Sequence, residues 1–596
     1  MTAAEIRAKI ISAVSANGGH LAPSLGTVEL SMALCEVFDP SSDKVVWDVG
    51  HQAYAWKILT GRDAEFCTLR KFGGISGFPN PLESSADAAV AGHAGVALSV
   101  AEGYAAARDL NGTKENVVAV VGDSALANGT SFEALNNCIA ATKKVILVLN
   151  DNGMSISKPT GSFSRFLGWL ISGVRYNRAK AAAEKAGHAL KLTFLRRLYH
   201  SLESRVKSLF LASRFFEQFG LRYIGPVDGH DVEALKAAFT VAKEDKRSVI
   251  VHVVTKKGKG YRFAEEDPTS WHGVGPFDIA SGVAAKPSVR SWSQVFGDAI
   301  SKMAAKDSRI VAVTAGMAEG TGLARFAREF KERFFDVGIA EGHMVSFAAG
   351  LAAAGMRPVV AVYSTFLQRA VDHVMHDVCI ASLPVVFCVD RAGVVGEDGA
   401  THQGLYDIAM LRAIPNITIC QPESAEDFER LLNEALLRSG PTVIRYPRGA
   451  GAQRPELNGI VVQYGKNHLI QSSDSDIVIW ALGAEIDTAL AVASMLKEKV
   501  NIVLVHFIAP FDTALAEKLR HKRHFTIENH CVRGGLYTTL CETLAGAAHG
   551  EITPFGWSAD EVIGHGTVQE LRLRHGLDAE SIADKIKNVY DPPRIV

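Results

Sequence analysis

An excess of one charge, paired cysteines and long apolar runs are all missing from this sequence. Its 63 Lys and Arg face 64 Asp and Glu, a net charge of −1. No bulk field therefore draws the chain to nucleic acid or to an anionic membrane, and neither is expected as a partner. Any affinity for phosphate must come from individual residues. The eight cysteines (Cys35, Cys67, Cys138, Cys379, Cys388, Cys420, Cys531, Cys541) are scattered and include no Cys-x-x-Cys. Several sit in apolar runs such as Pro-Val-Val-Phe-Cys388-Val-Asp, which reads as buried, reduced thiols. The opening Met-Thr-Ala-Ala-Glu-Ile-Arg-Ala-Lys reads as a helix start without the apolar core of a signal peptide. No apolar stretch of about 18 residues follows, so the expected location is cytoplasmic.

What is present is ample core, 47% hydrophobic against 21% charged residues. At 596 residues the length suggests three or four domains of roughly 100–200 residues each. Short β-branched runs alternate with helical patterns, which predicts an α/β fold with parallel sheets. The runs are Val117–Val121, Val145–Leu149, Ser248–Val254, Ile310–Thr314, Val359–Tyr363, Val385–Val389, Ile477–Leu482 and Ile502–Phe507. Breaks rich in Gly, Ala, Pro and Ser at Asp278–Ser291, and polar at Arg448–Asp476, divide them into three domains, 1–285, 286–455 and 456–596. The stretch Ser164–Phe215 repeats Lys, Arg and Leu at helical spacing and reads as solvated helix faces.

Two of the runs end in motifs with chemistry. Gly122-Asp123-Ser124 follows the first and Asn150-Asp151-Asn152 the second, 29 residues from Asp123 to Asn152. Both fall at the carboxyl ends of strands, where open α/β sheets bind ligands. Mg²⁺ wants oxygen ligands and shares them with a diphosphate. The Asp123 carboxylate, the Asn152 amide carbonyl and the backbone carbonyl of Met154 can supply three, with Gly122 leaving room for the phosphate to come close. The pair resembles the thiamine-diphosphate fingerprint, Gly-Asp-Gly followed by Asn-Asp-Asn, with Ser124 in place of the second glycine.

The resemblance then widens. Gly-Gly-His20-Leu-Ala-Pro-Ser-Leu-Gly-Thr, Trp47-Asp-Val-Gly-His51-Gln-Ala-Tyr, Tyr223-Ile-Gly-Pro-Val-Asp-Gly-His230-Asp and Thr255-Lys-Lys257-Gly-Lys-Gly-Tyr are similar to segments of the 1-deoxy-D-xylulose-5-phosphate synthase family. So are Tyr363-Ser-Thr-Phe366-Leu-Gln-Arg369-Ala, Asp390-Arg391-Ala-Gly-Val-Val-Gly-Glu-Asp398-Gly-Ala-Thr-His402-Gln-Gly and Arg445-Tyr-Pro-Arg448-Gly. The Gly-Glu-Asp-Gly-x-Thr-His-Gln piece is shared with transketolases, whereas Asp-Arg-Ala-Gly and Tyr-Ser-Thr-Phe-Leu-Gln-Arg discriminate. The resemblance implies three α/β domains of the transketolase-like type, thiamine diphosphate and Mg²⁺ as cofactors, and a homodimer. It also implies condensation of pyruvate with D-glyceraldehyde 3-phosphate, with loss of carbon dioxide, for isoprenoid, thiamine and pyridoxal synthesis.

It further implies the site residues. The cofactor's thiazolium carbon must lose a proton, and its aminopyrimidine can take it when a desolvated carboxyl group faces the far ring nitrogen. Glu341, in Val-Gly-Ile-Ala-Glu341-Gly-His-Met-Val, is expected to be that group. Phe366 would stack on the pyrimidine and Met317 would sit under the bend between the rings. His51, Gly92, His93 and Lys257 join Asp123, Ser124 and Asn152 around the cofactor. Arg391 and Arg448 are candidates for the acceptor phosphate, since guanidinium groups bind phosphate bidentately. His20 and His402 would shuttle protons, His272 would hold the donor carboxylate, and Tyr363, Arg369 and Asp398 would complete the substrate pocket.

Three places depart from the family pattern. Glu-Gln-His is Glu341-Gly342-His343 here, and Gly-His-Ser-Ser is Gly92-His93-Ala94-Gly95; the third is Ser124, whose hydroxyl is one candidate to replace a lost serine. These departures keep open the same chemistry on a different aldose-phosphate acceptor. A transketolase or oxo-acid dehydrogenase subunit, and a cofactor-binding paralogue without catalysis, are the other readings.

Overall fold

The computed structural model describes residues 1–153, 213–284, 289–457, 459–497 and 499–590. Met154 and the Ser164–Phe215 stretch up to residue 212 lie outside the described residues. The chain divides into two compact units, Met1–Ala285 and Lys286–Val596.

In the first unit five strands pair in parallel: β1 (Lys44–Trp47), β2 (Val117–Gly122), β3 (Ile146–Asp151), β4 (Arg222–Asp228) and β5 (Val249–Val254). Their order is β1-β2-β3-β5-β4. The central strands are apolar along their length because helices cover both sheet faces, and β2 and β3 are buried almost throughout. Helix Val232–Glu244 shows how a cover is written: it buries Leu235, Ala238, Phe239 and Ala242 along one stripe, and Asp231 caps it by accepting the Ala234 N–H. Helix Ala97–Asn111 is capped from a distance. The Asp48 carboxylate, just after β1, accepts N–H groups from Gly95, Val96 and Ala97 at 2.9–3.0 Å.

The second unit holds two sheets. Strands β6 (Ile310–Thr314), β7 (Phe334–Asp336), β8 (Arg357–Tyr363), β9 (Val386–Asp390), β10 (Thr418–Cys420) and β11 (Thr442–Arg445) are parallel. The other sheet takes β12 (His468–Gln471), β13 (Ile477–Leu482) and β14 (Asn501–Val505), then β16 (Arg523–Cys531) and β17 (Ile552–Trp557). Between these, β15 (Phe507–Ala509) leaves its neighbours and pairs antiparallel with β10. The run Ile502–Phe507 is therefore two strands in two sheets, turned at His506. One apolar core unites the sheets, from Val313, Met344 and Val360 through to Trp480, Val503 and Leu536.

Arg445 is the polar pin of this unit. Its guanidinium, 1% exposed, bonds Asp407 at 3.0 Å, Gln421 Oε1 and the Asn529 carbonyl at 3.2 Å. It thereby joins β11, the helix Asp407–Leu411 and β16. Removing one partner of such a pair leaves a buried charge uncompensated, which costs about 3–5 kcal/mol. Arg445→Leu should lower the unfolding free energy by about that much in a denaturant titration; a loss below about 1 kcal/mol would show Asp407 to be satisfied without it.

Candidate functional site

Parallel strands all leave by the same edge, and in the first unit that edge collects the polar motifs. Asp48 and His51 follow β1, Asp123 and Ser124 follow β2, Asn152 follows β3, His230 follows β4 and Lys257 follows β5. Register pairs Gly122 with Asn150 across β2 and β3, so the two halves of the fingerprint are side by side. Asp123 opens a short helix and is 3% exposed. Burial, then the neighbouring Asp151, push its carboxyl above the usual carboxylate range, while Lys257 opposes the shift. Burial holds the Lys257 ammonium down, to about 8, with Asp123 pulling the other way. A cation would relieve this buried acidic pair.

Ser124 Oγ and His272 Nδ1 are buried with no hydrogen-bond partner among the described residues. Gly122 has extended backbone, φ −73°, so conformation does not require glycine there. A Cβ on it would meet no atom of the described residues within 4 Å. Ser124 sits in the same short helix and needs no left-handed backbone. Among the described residues no cluster of three or more His, Cys, Asp or Glu is arranged to hold a metal. The sequence-derived ligand set is of another type, one carboxylate with an amide and a backbone carbonyl, and the Met154 carbonyl lies outside the described residues.

The histidines gather around one backbone bridge. Gly19 and Val274 exchange N–H···O bonds at 2.8 and 2.9 Å. That bridge sets the His20 ring 5.7 Å from His272 and 5.8 Å from His51, with His51 and His272 5.0 Å apart. Phe78 closes one side at 5.4 Å from His20. Burial, then the nearby His51, Lys257 and His20, hold His272 well below the usual histidine range. His272 is thus a neutral imidazole in this cluster at ordinary pH.

Several supporting residues were not anticipated from sequence. Asp151, the middle residue of its motif, bonds His252 at 3.0 Å, and His252 bonds the Tyr223 hydroxyl at 2.8 Å. Asp151 and His252 are fully buried, which fixes the strand end that carries Asn152. His230 is structural: it spans Glu29 at 3.1 Å and the Lys256 N–H at 2.9 Å, and so anchors the loop of Lys257. The Ala94-Gly95 departure also has a physical cause. Gly95 lies at φ +85°, and a Cβ there would stand 2.5 Å from Asn128 Oδ1. Asn128 itself caps the helix Gly129–Ala141. Its amide fills the space that a serine at 95 would need.

In the second unit the corresponding edge carries Met317 after β6, Glu341 after β7, Tyr363, Phe366 and Arg369 after β8, Arg391, Asp398 and His402 after β9, and Arg448 after β11. Glu341 is the first residue of helix Glu341–Ala353 and only 5% exposed. Burial raises its pKa, and Arg369, with Nη1 at 3.4 Å from Oε2, opposes this. Arg369, a candidate for substrate binding, faces this acid. Phe366 stacks on Tyr363 at 5.7 Å and 11° and meets the His402 ring edge-on at 5.7 Å. Met317 reaches Gly320, where a Cβ would lie 3.0 Å from its Cε and 2.5 Å from the Tyr363 hydroxyl.

The two candidate phosphate arginines are both held by the protein. Arg391, in left-handed backbone at φ 56°, bonds Asp390 at 2.6 Å, Ser293 at 2.7 Å and the Gly320 carbonyl at 2.9 Å. Its guanidinium lies 4.2 Å above the Tyr363 ring. Arg448 donates to the Val395 carbonyl at 2.5 Å and to Glu397 at 2.9 Å, with Asp398 at 3.8 Å. Its side chain is 38% exposed against 22% for Arg391, so Arg448 is the more accessible cation. The C-terminal sheet steadies this loop: Asn529 accepts the Val394 N–H at 3.0 Å, and Gln403 donates to the Gly564 carbonyl at 2.9 Å.

The Asn128 account gives a direct test. Gly95→Ser should destabilise the first unit by about 1–3 kcal/mol, the usual cost of forcing atoms into a packed site. Adding Asn128→Ala should recover part of that loss in thermal melts. Equal stability of Gly95→Ser and the parent would show that the amide does not block the position.

Three segments of the chain match known family models. Residues 1–255 match the family model described as 1-deoxy-D-xylulose-5-phosphate synthase. Residues 288–453 match the transketolase pyrimidine binding domain and residues 465–582 the transketolase C-terminal domain. The 1-deoxy-D-xylulose-5-phosphate synthase of Oleidesulfovibrio alaskensis is 44% identical over 601 residues, covering 97% of this chain and 93% of the relative. The protein of that name from Lachnoclostridium phytofermentans is 45% identical over 602 residues, covering 98% and 95%. The 1-deoxy-D-xylulose-5-phosphate synthase 1 of Geobacter metallireducens is 44% identical over 602 residues, covering 98% of this chain and 95% of the relative. With this identity over nearly its whole length, the chain belongs to the 1-deoxy-D-xylulose-5-phosphate synthase family.

Proposed function

We propose that this chain is a transferase that decarboxylates pyruvate and joins the two-carbon remainder to D-glyceraldehyde 3-phosphate, yielding 1-deoxy-D-xylulose 5-phosphate. The product would serve isoprenoid, thiamine and pyridoxal synthesis. The observation that carries the reading is Glu341: a buried acid that opens a helix and faces Arg369, in a chain 44% identical to a synthase of this name over 97% of its length. A cytoplasmic homodimer using Mg²⁺ is part of the same reading and rests on the family resemblance.

Thiamine diphosphate, when bound, supplies a carbanion equivalent and an electron sink that no side chain offers. The residues suit it. In the first unit Asp123 and Asn152, with the Met154 carbonyl, would hold the metal that neutralises the diphosphate. Ser124, His51, Gly92, His93 and Lys257 would line the phosphates. In the second unit the Glu341 carboxyl would hold the pyrimidine nitrogen, Phe366 would stack on that ring, and Met317 would support the bend. Burial favours the protonated form of Glu341, the form able to donate to a ring nitrogen.

The substrates need other groups. His20 and His402 are assigned to proton transfer at the substrate oxygens, and His272 to the donor carboxylate. Neutrality suits His272 as a hydrogen-bonding group that adds no charge to the cluster. Arg448 and Arg391 are assigned to the acceptor phosphate, with Tyr363 and Asp398 beside them. Because Asp390, Glu397 and Asp398 already engage these arginines, a phosphate must displace or share those contacts. A second reading, in which the acceptor is another aldose phosphate, rests on the departures at Ala94, Gly95, Ser124 and Gly342.

Incubation with pyruvate, Mg²⁺, thiamine diphosphate and a panel of aldehyde phosphates, followed by mass spectrometry, separates the two readings. Formation of 1-deoxy-D-xylulose 5-phosphate as the dominant product is expected; a different ketose phosphate would select the alternative. Glu341→Ala should keep the fold but leave less than a tenth of kcat, and greater retention would refute its assignment. Arg448→Ala should cost on the order of 10- to 100-fold in kcat/KM for glyceraldehyde 3-phosphate, as loss of about 1.5–3 kcal/mol of charged hydrogen bonding implies. Unphosphorylated glyceraldehyde should be nearly indifferent. Equal losses with both aldehydes would make Arg448 structural.

A further inference from the structure

The glycine after Glu341 has no backbone reason to be one. Gly342 lies inside the helix Glu341–Ala353 with no left-handed φ, and glycine is among the poorest helix formers. The reason is steric and lies on a neighbouring segment. A Cβ on Gly342 would stand 2.7 Å from Cε1 and 2.9 Å from Nε2 of His373. The imidazole therefore rests directly on the Gly342 backbone, in the volume that a side chain next to the acid would occupy.

His373 is the middle of three rungs between this helix and the helical turns from Gln368 to Cys379. Arg369 reaches Glu341 at 3.4 Å, His373 covers Gly342, and Asp377 accepts from the Ser346 hydroxyl. The three partners are spaced four residues apart, so one stripe of the second segment grips the first turns of the helix. Apolar residues seal the same seam, Met344 and Val345 against Ala370, Val374 and Val378. Within this grip the Arg369 contact, at 3.4 Å, is long for a hydrogen bond. His373 Nδ1 is buried and has no hydrogen-bond partner among the described residues. The ring is held by shape, as a wedge is.

We infer that His373 is the positioning residue for Glu341, its imidazole replacing the side chain that Gly342 lacks and fixing the start of the helix that presents the acid. The inference rests on the reading of Glu341 as the acid that holds the cofactor's pyrimidine. It makes residues 342 and 373 a coupled pair: bulk belongs at one of them and not at both.

A reciprocal exchange in the full-length protein tests this. Gly342→Gln, His373→Ala and the double variant are compared with the parent by calorimetric titration with thiamine diphosphate in the presence of Mg²⁺, by steady-state kinetics and by thermal melts without cofactor. Each single change should weaken cofactor binding at least fivefold and lower kcat at least tenfold, while KM for pyruvate moves less than twofold. The double variant should return to within about threefold of the parent in cofactor affinity, because a side chain from 342 then fills the space the ring vacates. If Gly342→Gln does not fold, His373→Ala and the double variant still decide. Parent-like affinity and kcat in His373→Ala, or a double variant no better than His373→Ala alone, would overturn the inference. A parent protein that fails to bind thiamine diphosphate would refute the functional reading instead.

Discussion

Parallel pairing is the constraint on which the rest of this molecule depends. Strands that run the same way must each be followed by a crossover, so every strand emits its loop on one edge and receives the chain on the other. Residues distant in sequence are thereby delivered to a common line. In the first unit that line runs through Asp48, Asp123, Asn152, His230 and Lys257; in the second through Met317, Glu341, Tyr363, Arg391 and Arg448. No single local interaction could gather so many polar groups. Once the sheets form, however, their burial becomes an electrostatic problem. Asp123 against Lys257, Glu341 against Arg369 and Arg391 against Asp390 are three answers to it.

How much of this was legible in the sequence depends on what each residue had to advertise. Strands buried on both faces, such as β2, β3, β9 and β13, announce themselves as unbroken apolar runs. β16 does not. Its Arg-His-Phe-Thr-Ile-Glu-Asn-His-Cys is buried almost throughout yet rich in polar side chains, because Glu528 and Asn529 spend their oxygens on backbone and indole N–H groups elsewhere. β4 is half-buried at a sheet edge and contains glycine and proline, so its pattern is faint. Candidate site residues could be named where a motif carried them, as with Asp123, Glu341 and the three clustered histidines. The supports His252, Tyr223, Asn128 and His373 were not, since each matters through a partner far away in the chain. Arg369 stands between the two: its motif was plain, but its contact with Glu341 could be known only from the fold.

The departures from the family pattern look less like losses once the neighbours are in view. At both Gly95 and Gly342 the missing side chain leaves no hole, because Asn128 and His373 fill the space from another element. Close-packed interiors tolerate exchange of volume between partners far better than net change. A substitution read alone as the removal of a function can therefore be half of a transfer. Whether chemistry is transferred along with volume depends on where the polar atoms of the newcomer point.

The short strand β15 has a consequence for how this chain can be divided. β14 and β15 are separated by one residue, His506, whose backbone N–H and that of Phe507 both bond Asn467 at 3.0 Å. The polypeptide thus passes from the C-terminal sheet into the neighbouring sheet across one residue, and returns through the helix Thr513–Leu519 to β16, like a stitch through two layers of cloth. Proteins assembled from exchangeable modules need seams where few bonds cross. Here the segment that carries the C-terminal sheet also completes the edge of its neighbour, beside β10. A chain severed between the two sequence regions would leave one fragment with an open strand edge and the other with a strand that has nothing to pair with. Reshuffling at that boundary is thereby discouraged by backbone hydrogen bonding alone, without any contribution from the chemistry at the other end of the strands.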